Sequence, residues 1–532
     1  SAKRRANQNH NGELMSTKSI LFACLLVLVT SHSAHAQRVF LGSAAGLLQS
    51  EIGILNNSVA NLHATDGMVW VGPYLNLTED GGQSWFVPET DSLFGTVNRL
   101  FSLDVEGMTV VAGLGRADRT GGQSVQTAAG FLISEDGGNT FSYRFPQLDG
   151  PEDDTEVYGV SVLDALPVIV PQQSPPFDID YNGASGTIWV AGWASGIRKS
   201  DDMGRNWSRV VLPPDDLDFI TPQTPYSFSV EPQRGGTGSL NHMGFSILHD
   251  AAGTVWAGTA GGLNRSVDGG LTWQKFKTDG TQGSLTGNWV ISIEEQVTGG
   301  MPIIWTATWN TGDTDGQTGK FGVTFTEDGR QNFKQTLIGE RIYDFAFDGA
   351  KVYAAGDNGL FISSDAGDTW DSISDFIEDS GSQRRVRPNA SIFSVEYANG
   401  ILWVGTSDGL LKSADQGSTW TIFHVNVPLH PEEPSDAVPD VNTYAYPNPF
   451  SRGDDVFIRI KYELDRSESV DIRVFDYGMN VIRTMNLNGV QGVNESMWDG
   501  TDDNGIQVPN GVYFYEVRSG NSRFRGKILV IE

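Results

Sequence analysis

The 532-residue chain has one cysteine, and only 19% of its residues are charged. A lone thiol cannot make an internal disulfide or a multi-cysteine zinc site. Basic side chains are also scarce, with 36 Lys and Arg against 65 Asp and Glu, a formal net charge of −29. A surface of that sign repels phosphate, which argues against nucleic acid and anionic membrane as partners. Long apolar runs are missing too. Ile20 to Val29 is the longest, well short of the roughly 20 residues that span a bilayer. What the chain does have is glycine, 63 residues, against a usual share of about 7%. Aromatics reach 10% and apolar residues 39%, so a large core can form. This is the profile of an all-β, turn-rich chain.

Lys18, the short apolar run and Ala34-His35-Ala36 read as a secretory signal cleaved before Gln37. Residues 1–36 are therefore expected to be an upstream extension and signal peptide. Export is expected to proceed through the periplasm to the outer cell surface or medium. Without those residues, no cysteine remains and 32 basic side chains face 64 acidic ones.

One octapeptide recurs seven times: Thr78–Trp85, Ser134–Phe141, Ser200–Trp207, Ser266–Trp273, Thr326–Phe333, Ser363–Trp370 and Ser413–Trp420. Its pattern is Ser/Thr-x-Asp-x-Gly-x-Thr-Trp/Phe, with Arg330 replacing the Gly of the fifth copy. Asp and Gly at its centre make a tight turn, the carboxylate accepting backbone N–H bonds. The aromatic then returns to the sheet and packs. Each box follows a strand, a Gly turn and a second strand, as in Ile401–Thr406 and Gly409–Ser413. An alternating segment lies upstream, such as Ile392–Ala398. Four antiparallel strands per unit make a propeller blade.

The repeats resemble the Asp-box (BNR) propellers, a group that includes sialidases, xyloglucanase-type glycosidases, sortilin-type receptors and a photosystem-assembly factor. The resemblance implies a β-propeller over residues 37–428 and structural, turn-forming roles for Asp80, Asp136, Asp202, Asp268, Asp328, Asp365 and Asp415. Seven boxes give seven blades. Val39–Ser50 matches the strand–turn–strand pattern without a box, which leaves an eighth blade as the alternative.

Residues 429–441 are rich in Pro and acid and read as a linker. Residues 442–532 alternate apolar and polar in short runs, a small β-sandwich pattern. Tyr446-Pro-Asn-Pro-Phe450, Asp476–Asn480, Trp498-Asp-Gly500 and Gly511-Val-Tyr513 resemble the type A sorting domain of type IX secretion. That domain is related to the Ig-like domain of hook-capping proteins. The resemblance implies the type IX secretion machinery as a partner and an address tag rather than an active module.

In a four-stranded blade the boxes and the 1–2 turns share one face, and here those turns are short. The long segments Leu114–Ala129, Pro146–Pro176, Pro213–Asn241, Thr278–Asn288, Thr308–Lys320 and Phe376–Asn389 fall on the other. Loops on a rigid scaffold carry most function, so ligand-binding candidates are Arg116, Arg119, Trp309, Asp313, Asp315, Arg384 and Arg385. Tyr143-Arg-Phe-Pro146 is similar to the sialidase arginine motif but lies after the second box rather than before the first, so it reads as a strand end. Asp313-Thr-Asp315-Gly316 and Asp499–Gly505 suggest calcium loops but lack a terminal Glu, and tight turns fit them better. No cofactor or metal is expected, and no catalytic residue can be named. The expected function is a non-catalytic surface or secreted module that binds a polysaccharide or protein. The alternative is a sialidase- or xyloglucanase-type glycoside hydrolase, whose two carboxylates sequence cannot select among 64.

Overall fold

The computed structural model describes residues 47–532 except 51–52, 66, 89, 91–92, 96, 233–237, 299–300, 310–319, 327–331, 379–381, 383, 426–441 and 454. Apart from one 3₁₀ turn, Leu240–His242, all regular structure among these residues is β. Seven consecutive antiparallel sheets follow one another in chain order and form a propeller. The blades span residues 62–88, 99–144, 176–209, 244–276, 289–336, 342–373 and 392–423, and are numbered 1 to 7 in that order. In each, four strands run in chain order outward from the innermost first strand, and in blades 1 and 4 a fifth strand, Leu47–Ser50 or Phe219–Ile220, pairs outside the fourth.

The repeated residues explain both the turns and the packing between blades. In blade 7, Ser413 Oγ donates to Asp415 Oδ1 at 2.7 Å and the Thr419 amide donates to the same oxygen at 2.8 Å. Thr419 Oγ1 donates to Asp415 Oδ2 at 2.6 Å. The Thr419 hydroxyl and amide hold this carboxyl down to about 2, and Thr369 does the same for Asp365. A second-strand tryptophan then reaches the box of the next blade. A Cβ on Gly138 would lie 2.4 Å from Trp70 Cη2, and one on Gly367 would lie 2.6 Å from Trp305 Cη2. Both glycines also have positive φ, +90° and +93°. The repeat thus encodes a ring-over-glycine contact between blades. Asp328 of the fifth box lies outside the described residues.

The eighth-blade alternative is corrected. Leu47–Ser50 pairs antiparallel with Trp85–Pro88, as a fifth strand outside blade 1. The ring closes directly between blades 7 and 1: the Val59 amide donates to Thr406 O at 2.8 Å, and Lys412 Nζ to Gly81 O at 2.7 Å. Leu114–Ala129, expected as a loop, belongs to the paired strands Thr109–Thr120 and Gln123–Ser134, which continue past a bulge at Leu114/Gly115. Two other inserts fold together, with Thr155–Tyr158, Ser161–Ala165 and Ser229–Val230 forming a three-stranded sheet.

The C-terminal region is an Ig-like sandwich of a three-stranded and a five-stranded sheet. Its core holds Phe450, Ile472, Trp498, Tyr515 and Ile528, each at most 1% exposed.

The ring-over-glycine contact predicts that Gly138→Ala costs about 1–3 kcal/mol, because the new methyl group overpacks the Trp70 ring. Denaturant unfolding of the two proteins tests this; equal midpoints would contradict it.

Candidate functional site

Six of the seven innermost strands carry a bulge at the same place. The residue skipped by the pairing is Phe101, Phe177, Phe245, Ile291, Tyr343 or Phe393. A bulge re-aims its side chain, and all six line a central cavity of about 410 Å³. These residues begin their strands just after the long inserts, so they ring the mouth on the insert-bearing face. Trp193, Trp289 and Trp309 extend the ring. Trp193 meets Trp289 at 5.4 Å between centroids, Phe245 meets Trp289 at 5.3 Å, and Trp309 meets Tyr343 at 5.2 Å.

Below this collar the cavity is lined by Asp104, Asp178, Asp180, Glu294, Asp344 and Glu396. Most of these carboxyls bond to the inner strand of the following blade. Asp104 Oδ2 accepts from the Tyr181 amide at 2.6 Å, Asp178 Oδ2 from Ile247 at 2.9 Å, and Asp180 Oδ2 from His249 at 2.8 Å. Asp344 Oδ2 accepts from Val395 at 2.9 Å, and Glu396 accepts from the Ala64 amide. Ser102, Ser246 and Ser394 donate to Pro176, Val290 and Val59 carbonyls in the same sense. Glu294 makes no hydrogen bond or ion pair to the described residues, and Asp180 Oδ1 is buried without a partner. Burial raises all six carboxyls, Asp178 and Asp344 to about 7, and mutual repulsion pushes Glu294 and Asp180 further up. No three His, Cys, Asp or Glu side chains among the described residues converge to hold a metal ion.

The residues expected from sequence are scattered. Trp309 alone joins the collar; it is 5% exposed and donates from Nε1 to Ile342 O at 3.1 Å. Arg116 and Arg119 lie on the long hairpin of blade 2, where Arg116 pairs with Asp118 at 2.9 Å. The hairpin reaches the mouth through Gln126, which lines the cavity. Asp313 and Asp315 lie outside the described residues. Arg385 pairs with Asp375 at 2.6 Å, and Arg384 donates to Ile422 O at 3.1 Å and to Val493 O at 3.4 Å. Arg144 donates to Met203 O at 2.9 Å, a strand-end contact. The channel residues had a sequence signal: Phe101-Ser-Leu-Asp104, Phe177-Asp-Ile-Asp180, Ile291-Ser-Ile-Glu294 and Phe393-Ser-Val-Glu396 repeat one tetrapeptide.

Arg384 touches the Ig-like domain because that domain is docked on blade 7 through buried charges. Arg459 forms a paired contact with Asp408, and both are at most 5% exposed. Glu495, 1% exposed, receives His424 Nδ1 at 3.0 Å, Arg459 Nε at 3.6 Å and Lys461 Nζ at 3.7 Å. Burial alone would raise Glu495, but His424, Lys461 and Arg459 hold it well below the usual carboxylate range. Burial brings Lys461 down to about 8.

Residues 451–523 match the family model of the FlgD Ig-like domain. Among solved structures, PorZ of Porphyromonas gingivalis, described as an essential bacterial surface component of the type IX secretion system, is 14% identical with a TM-score of 0.41. The match covers 90% of this chain and 66% of that one, just under two thirds. A GH74 enzyme of Niastella koreensis is 14% identical over 93% of this chain and 75% of its own, TM-score 0.43. YCF48 from Cyanidioschyzon merolae is 14% identical over 75% and 95%, TM-score 0.37. These similarities assign no residue and no activity. No curated protein matches the chain in sequence.

Three outcomes follow from the electrostatics. Glu294 has a folded-state pKa above its unfolded value, so its ionisation costs stability as pH rises. Glu294→Gln is expected to raise the unfolding temperature by roughly 2–4 °C at pH 9 and by less at pH 5, read by calorimetry. Arg459→Met leaves Asp408 and Glu495 buried beside a missing charge, at a cost of about 3–5 kcal/mol. The Ig-like domain should then unfold separately from the propeller. Because Glu495 is depressed, wild-type docking should be intact above about pH 4.5 and weaken as pH falls below it.

Proposed function

We propose that the chain is an exported binding propeller that takes an extracellular protein or polysaccharide at the collared mouth of its channel. Residues 442–532 address it, through type IX secretion, to the cell surface or medium. The aromatic collar carries this reading: an aromatic-lined concavity with a few polar groups at its base is the usual form of a ligand site. It sits on the face with the long inserts, where Arg116 and Arg119 remain candidate contacts. The FlgD Ig-like match supports the addressing role.

One observation favours glycoside hydrolysis as a second reading. Carboxyls with raised and unequal proton affinities sit together below the mouth, as acid catalysis at a glycosidic bond requires. Against it, five of the six already accept a backbone amide and hold neighbouring blades.

A glycan array and a surface-protein capture, each run beside a hydrolysis assay, test the two readings. Phe101→Ala and Phe177→Ala should weaken capture at least tenfold without changing the circular-dichroism spectrum. Asp268→Ala, on the opposite face, should leave capture intact; if it alone abolishes capture, the mouth is not the site. Turnover that Glu294→Gln removes would favour the hydrolase.

A further inference from the structure

Resting on the reading of the mouth as a ligand site, we propose that the channel receives an alkylammonium group. The hydrocarbon stem would lie in the aromatic collar, and the ammonium would sit on Glu294 and Asp180. The two natural sources of that chemistry are a lysine side chain of a protein partner and a free diamine or polyamine.

The collar argues for a hydrocarbon stem. Its polar tips are mostly committed inward: Tyr343 Oη donates to Asp357 at 2.6 Å and Trp309 Nε1 to Ile342 O. A hydroxyl-rich ring entering here would leave its own donors and acceptors unpaired, at a cost of about 1–3 kcal/mol each. Methylene groups lose nothing in the same place. The ring faces also favour a passing cation.

The base of the cavity argues for a cation. Six carboxyls line it, and among the described lining residues none is Lys or Arg. His63 is the one basic side chain, placed 3.7 Å from Asp104. Two features separate this cavity from a merely acidic patch. Glu294 and Asp180 Oδ1 have no partner among the described residues, whereas the remaining carboxyl oxygens facing the next blade are used by backbone amides. The second is the apolar collar above them, where Trp289 lines the cavity and packs on Phe245 at 5.3 Å between centroids. A buried carboxyl oxygen without a partner, as at Asp180 Oδ1, calls for an explanation, and a bound cation supplies one. A bare metal ion fits poorly, because no three carboxyls among the described residues converge on one point. An ammonium can donate three separate hydrogen bonds to carboxyls that stand apart. It would also draw the carboxyls it touches back towards their ionised form.

The test is calorimetric titration of the full chain at pH 8 and low salt, followed by tryptophan fluorescence. The probes are n-pentylammonium chloride, cadaverine, spermidine, Nα-acetyl-lysine methylamide and, as neutral isostere, n-hexanol. The ammonium probes should bind and shift the fluorescence, and n-hexanol at equal concentration should not. Glu294→Gln, which keeps the fold, should weaken ammonium binding at least tenfold; Asp268→Asn should not change it. Lysine methylamide binding at least as tightly as cadaverine assigns the site to a protein lysine, and the reverse order by tenfold or more assigns it to a free polyamine. Equal binding of n-hexanol, or no effect of Glu294→Gln, overturns the proposal. If ammonium probes fail while capture of a macromolecule still depends on Phe101 and Phe177, the ammonium assignment falls and the mouth remains a site. If that capture is also indifferent to both residues, the mouth reading falls with it.

Discussion

Everything in the propeller depends on bonds between inner strands that do not share a sheet. Blades fan outward, so adjacent first strands meet only at the channel wall and cannot pair as a ladder. Side chains bridge them instead. Asn61 donates to Phe101 O, Asp104 accepts from Tyr181, Asp178 from Ile247, and Asp344 from Val395. Between blades 5 and 6, Gln296 donates to Gly349 O at 2.7 Å. The carboxyls that do this are forced together around one axis, so the same residues that close the ring charge its channel. Stability and a poised, electron-rich cavity are here two results of one arrangement.

Much of the fold was legible because its code is local. A box of eight residues makes its own turn, and its second Gly and returning aromatic report the packing on the next blade. The channel was harder to see. Most blades contribute an aromatic and an acid to it, far apart along the chain; blade 4 has Leu248 at the acid's position, and blade 6 has Ala346 there but supplies Asp344 instead. Position within a strand, set by a bulge, turns these residues inward, and composition does not reveal a bulge. The hairpin of blade 2 was misjudged for a similar reason. Arg116, Asp118, Arg119 and paired glycines look like a loop, but the two strands satisfy each other's backbone well beyond the blade.

The docked Ig-like domain alters how the arginines after Phe376 are understood. Arg384 and Arg385 stood among the ligand-binding candidates, with Arg387 close by in sequence. Arg384 and Arg387 contact the C-terminal domain, through Val493 and Asp455, and the carbonyl of Arg385 accepts from Arg459. Sequence could not pair them, since the partners lie about 70 to 110 residues away in a different sheet system.

Chain order equals blade order, and among the described residues no strand is shared between the first and last blades. Ser394 and Val59, which meet at the closure, are 335 residues apart. The apolar flank of blade 1, with Ile54, Val59, Leu62 and Trp85, therefore has no cover until Trp403 and Leu410 arrive. A partly folded chain carrying six blades is a split washer with two greasy ends. Another such chain can satisfy those ends as readily as its own last blade, so ring closure competes with chain-to-chain joining in proportion to concentration.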